Sequence, residues 1–149
     1  MPDLPYASSK AGQAREKEIR DCLRGVGASA IVFMVDDDRD VVIAQFRLHG
    51  REVTVPVSVA AYEAAWLRTQ DRGSRTAPEL HRRRAREAAE RAVWAVLADW
   101  IKAQAAMMTC GFLDADTAFL PHIAAPDGRR LIDAIKGSEA GAKLLPPPS

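Results

Sequence analysis

Arginine is the residue type through which this sequence could do chemistry, and its arginines are unevenly spread. Between Arg72 and Arg86 there are six of them, Arg72, Arg75, Arg82, Arg83, Arg84 and Arg86, against one acid, Glu79. A guanidinium is planar, always charged and forked, which matches the oxygens of a phosphate. The cluster points to the phosphates of nucleic acid or of a nucleotide. The run His81-Arg82-Arg83-Arg84-Ala85-Arg86 falls in the first turns of an expected helix. Cations there oppose the helix dipole, so the placement asks for a use. The plainer use is a solvated, laced face, because Arg83 with Glu87 and Arg86 with Glu90 have the i,i+4 spacing of helix ion pairs.

Other chemistry lacks its residues. His49, His81 and His122 have no ligand-like spacing, so no metal centre is expected. Asp36-Asp37-Asp38 with Asp40 lacks the central glycine and closing glutamate of a calcium loop and reads as a solvated turn. Cys22 and Cys110 cannot build a disulfide framework or, alone, a zinc site. No Ser–His or Cys–His nucleophile signature is present, and no glycine-rich nucleotide cradle. The expectation is a non-enzymatic protein without a cofactor. A formal charge of +1, from 21 Lys+Arg against 20 Asp+Glu, argues against a bulk polycation.

The elements that must hold the arginines follow from pattern. With 149 residues, 48% hydrophobic and 28% charged, one ordinary domain is expected over 10–136, between a loose start (1–9) and a proline-rich tail (137–149). Ser8 or Ser9 can cap a helix to about Arg24, stopped by Gly25 and Gly27. Residues 30–35 are apolar on both faces and predict a strand covered on both sides. Ala44, Phe46 and Leu48 alternate with Gln45 and Arg47 in a second strand, and Val53, Val55 and Val57 mark a third, with Pro56 placing it at an edge. His49-Gly50 suits a two-residue hairpin turn. Residues 59–70, with Tyr62 and Trp66 on one face, suit a short helix. Thr76 to Glu79 fits a capping box for a helix reaching Cys110, roughly 45 Å long at 1.5 Å per residue. Two broken helical pieces follow, around Asp114–Ile123 and Leu131–Ile135. The fold class is α+β: a three-stranded antiparallel meander packed on helices, with the long helix as spine. One helix rarely buries every side, so Trp94, Leu97, Ile101 and Met108 are expected to leave an apolar strip for a homodimer. No apolar run approaches a membrane span and no apolar signal core opens the chain, so the expected location is the cytoplasm.

The order helix–strand–strand–strand–helix, ending in the basic HRRRAREAAERAVWAVL segment, resembles a double-stranded-RNA-binding domain in shape over about residues 10–98. It departs from that family through the added helix at 59–70 and the acidic first turn. Over about residues 26–145, VWAVLADWIKAQ (93–104), Gly111, Phe119-Leu120-Pro121 and Asp127-Gly128-Arg129 resemble a group of small proteins from tailed phages and prophages. That resemblance implies a phage or prophage origin and two functional classes. One is an accessory protein of nucleic-acid processing. The other is an inhibitor of host defence that binds a host protein or sequesters a signalling nucleotide. An oligomeric adaptor without an anionic ligand is the third class.

Overall fold

The N-terminal segment is strapped down by its carbonyls. In the structure, a computed structural model describing residues 4–148, the Tyr62 hydroxyl donates to the Pro5 carbonyl at 2.6 Å and Arg91 Nε donates to the Ser9 carbonyl at 3.0 Å. Residues 4–9 are therefore tied to the helices rather than loose, and residues 1–3 lie outside the described range. Neither Ser8 nor Ser9 caps a helix. A 3-10 turn (Gly12–Arg15) leads into α1 (Glu16–Gly25) instead. As the spacing predicts, α1 stops at the glycines. Gly27 takes φ +92°, and the Ala28 N–H donates to the Leu23 carbonyl at 2.9 Å, closing the last turn.

Strands β1 (Ser29–Asp36), β2 (Val41–Leu48) and β3 (Arg51–Ser58) form an antiparallel sheet in the order β1-β2-β3. The expected meander is present, with His49 at φ +49° and Gly50 at φ +80° making its second turn. Phe46 pairs with Val53 and Ala44 with Val55, so Ala44, Phe46, Leu48, Val53 and Val55 share the buried face. β1 corrects the reading of its apolar run. It is an edge strand, bulged between Ser29 and Val32, and Val32 and Met34 stay 48% and 40% exposed. The helical layer covers one face of the sheet, where Phe33 packs against the core.

Helix α2 (Val59–Thr69) starts at Ser58, whose hydroxyl accepts from the Ala61 N–H at 3.0 Å. Helix α3 (Pro78–Thr109) is the spine. Buried alanines at 85, 88, 89 and 92 let neighbouring elements approach it closely, and Val93, Leu97 and Ile101 enter the core. Gly111, at φ +75°, ends it.

The strip expected to await a partner is filled within the chain. Trp94, Leu97 and Ile101 are 4%, 1% and 0% exposed, and Met108 is half-buried against the same core. The sheet and the other helices supply much of the cover, with Phe33 of β1 5.8 Å from Trp94 between ring centres, and the C-terminal segment adds to it. Asp114 caps α4 (Ala115–Phe119), and the following 3-10 turn (Leu120–His122) redirects the chain at Pro121. Phe119 then meets Phe46 edge-on at 5.4 Å and Trp100 at 5.7 Å. The reversal at Gly111 turns the segment back onto the helix, and the break at Pro121 leads it on to β3, where Ile123 bridges Val53. α5 (Leu131–Lys136) follows, and Leu131 packs on the core. The expected tail is ordered at first: α6 (Glu139–Ala142) is capped by Ser138, and Gly141 is buried. No helix among the described residues is long and apolar enough to cross a membrane.

Candidate nucleic-acid interface

The arginine cluster sits where the chain reverses from α2 into α3. The capping box does not form. Ala77 is the N-cap in extended conformation, Pro78 takes the first helical position, and the Thr76 N–H donates to the Gly73 carbonyl at 2.9 Å. Arg82, Arg83 and Arg84 occupy successive exposed positions, so their side chains leave the helix about 100° apart. They fan around the helix end instead of forming one row. Arg72 donates to the Thr76 carbonyl at 3.3 Å and remains exposed, as does Arg75. Arg68, at the end of α2, joins the same reversal and is also exposed. Among the described residues, ion pairs engage Arg15, Arg20, Arg47, Arg51, Arg86, Arg129 and Arg130. Arg72, Arg75, Arg82, Arg83 and Arg84 are absent from that set, and the expected Arg83–Glu87 pair does not form.

Arg86 is differently placed. Its Nη1 and Nη2 donate to the two carboxylate oxygens of Asp40, both at 2.6 Å, while Nε donates to Glu90 at 3.0 Å and Nη1 also reaches Glu63 at 3.3 Å. These bonds join the β1–β2 turn, α2 and α3. They hold the guanidinium above its ordinary range, and the Asp40 carboxyl is held below its own, chiefly through the same fork. The sequence groups Arg86 with the ligand-binding arginines, whereas in the fold it ties three elements together. The Arg86–Glu90 pair is the one i,i+4 expectation in this run that the structure contains.

Beside the fan lies an aromatic pair that the sequence reading left separate. The antiparallel approach of α2 and α3 brings the Trp66 indole to 4.9 Å from the His81 imidazole, with the rings tilted by 48°. Trp66 also lines an open cleft of about 590 Å³ between Gln70 and strap residues 4–8. The signal in the sequence was Trp66 on one face of its helix and His81 within the arginine run; their meeting depends on the turn at 70–77. A second cleft of about 330 Å³, near Trp94, suits an anion poorly. Asp37, Asp40, Glu87 and Glu90 line it against Arg86 and Arg91. Among the described residues no group of His, Cys, Asp or Glu could hold a metal ion.

No family model, curated protein or solved structure matches the chain.

Proposed function

We propose that this chain is a non-enzymatic accessory protein of phage or prophage type that contacts nucleic acid through the reversal between α2 and α3. The observation that supports it most is the group of five exposed arginines, Arg72, Arg75, Arg82, Arg83 and Arg84, without carboxylate partners among the described residues. An arginine already holding a carboxylate must give it up to take a phosphate; these need not. Their fan suits a polyanion that presents phosphates on more than one side of the helix end. The phage or prophage part rests on the Trp–Leu–Lys helix, the Phe-Leu-Pro step and the Asp-Gly-Arg turn, and the neighbouring genes test it.

The binding test is the triple substitution Arg82→Gln, Arg83→Gln and Arg84→Gln. Its circular dichroism should match the parent, while affinity for labelled oligonucleotides falls and its dependence on salt becomes shallower, since fewer counterions are displaced. Equal affinity and equal salt slope would remove the basic cluster from the interface. A thermal shift with small cyclic or ADP-ribose-type nucleotides, without oligonucleotide binding, would transfer the arginines to the nucleotide-sequestering reading.

A further inference from the structure

We infer that the nucleic acid this site takes is single-stranded, with a base stacked on Trp66; the inference rests on the basic-cluster reading above. Charge alone does not distinguish a duplex from a single strand, because both present phosphates. An accessible aromatic face does. Bases inside a duplex are stacked on one another, whereas an unpaired base can lie on an indole, and every base has a π-face to offer. The structure places an indole at the edge of a cleft, on the same reversal between α2 and α3 that carries the arginines. His81, which contacts Trp66, immediately precedes Arg82 in α3. Gln70, which lines the same cleft as Trp66, lies two residues before Arg72.

The indole is also held. The backbone around it is pinned by the Gln70 N–H, which donates to the Trp66 carbonyl at 2.8 Å. One turn earlier on α2, Tyr62 anchors the strap through Pro5, which forms the other wall of the cleft. His81 props the indole at a tilt and does not lie flat across it. Trp94 is 4% exposed at the edge of the carboxylate-lined cleft and Trp100 packs against Phe119 and His122, whereas the cleft beside Trp66 has no carboxylate in its wall. The cleft wall is uncharged, and Arg68 and Arg72 lie two residues along the chain from Trp66 and Gln70. That division suits a ligand with a flat uncharged part and an anionic backbone.

The test compares a labelled twelve-nucleotide single strand, a hairpin duplex of equal charge, and an abasic deoxyribose-phosphate strand of equal length, all at one salt concentration. The parent should bind the base-bearing strand about five- to a hundredfold more tightly than the abasic one. Trp66→Ala should lose that preference with an unchanged salt slope, and Trp66→Phe should restore most of it. If the parent binds base-bearing and abasic strands equally, the stacking inference is wrong even should Trp66→Ala fail to fold. If Trp66→Ala folds and binds the single strand like the parent, while the triple arginine variant does not bind, stacking falls and the basic cluster stands. If the triple variant binds all three probes like the parent, the underlying reading falls instead.

Discussion

The two ends of α3 use opposite means to stay in water. The C-terminal half is apolar around most of its circumference, and the chain covers it with its own side chains, Phe119 among them. The N-terminal turns pack one side on α2 and turn Arg82, Arg83 and Arg84 outward, exposed and, among the described residues, without ion pairs. Covering the first end contributes to stability through buried area. Leaving the second end open makes no such contribution and sets like charges against a helix dipole of the same sign. The division falls at Arg86, the last residue of the basic run and the first that the fold consumes. Charge density therefore does not mark a binding site here. The proposed interface rests instead on charge left without an ion-pair partner among the described residues.

The largest effect should come from uncovering the apolar end. Phe119 is 1% exposed and makes edge contacts with both Phe46 and Trp100. Phe119→Ala should cost about 3–5 kcal/mol, the usual range for truncating a buried phenylalanine, read from urea unfolding. Light scattering should then show association of the variant through the opened strip. A loss below about 1 kcal/mol would mean that the C-terminal segment is a loose cover and that α3 keeps its partner surface after all.

Next in size is Arg86→Ala. It removes a two-pronged ion pair and leaves Asp40 and Glu63, whose side chains are each 26% exposed, without their shared cation. The expected cost is roughly 1–2 kcal/mol, since charge-assisted bonds at partly exposed positions contribute about that much. Oligonucleotide affinity should not change. A loss of affinity as large as that of the triple arginine variant would return Arg86 to the interface and erase the boundary drawn above.

The fold was largely legible because its signals are local. Glycine after α1 and after α3, alternation in β2 and β3, and the His49-Gly50 turn each act within a few residues, and each appears where expected. The errors were about what lies across space. The apolar run of β1 does not say that the sheet has a single helical layer, so coverage on both faces was inferred where there is an edge. Pro121 and Gly128 read as interruptions, yet the chain they punctuate returns to the core, with Phe119 against Trp100 of α3 and Ile123 bridging Val53 of β3. For the site, the cluster of arginines was visible, but which of them the fold consumes was not. Arg86 meets Asp40 across 46 positions of sequence, and Trp66 meets His81 only once α2 and α3 lie antiparallel.

A shallower effect follows from His122 under the C-terminal cover. Its ring is half-buried against Trp100, and Arg130 Nη1 lies 3.0 Å from Nδ1. Burial first, and the Arg130 charge second, push its pKa below the ordinary 6.5. The unfolded chain then binds more protons than the folded one between that lowered value and 6.5. Stability should be complete above about pH 6.5 and decline as the pH falls through this window. His122→Gln should flatten the decline measured between about pH 7 and pH 5. An unchanged slope in the variant would assign the loss to other groups.

The smallest expected effect, and the one that separates the two ends most directly, is on stability in the triple variant Arg82→Gln, Arg83→Gln and Arg84→Gln. These side chains hold no carboxylate among the described residues, and glutamine is close to arginine in helix propensity. Removing three positive charges from the first turns also relieves their opposition to the helix dipole, which is worth about 0.3–1 kcal/mol for a well-placed exposed charge. The variant should therefore unfold at the parent's urea midpoint or slightly above it, with an unchanged denaturant slope. Raising the salt should shrink the difference, because the charges are exposed and screened. A clear loss of stability would show that these arginines serve the fold as Arg86 does. Equal or greater stability together with lost oligonucleotide binding is the signature of charge kept for a ligand.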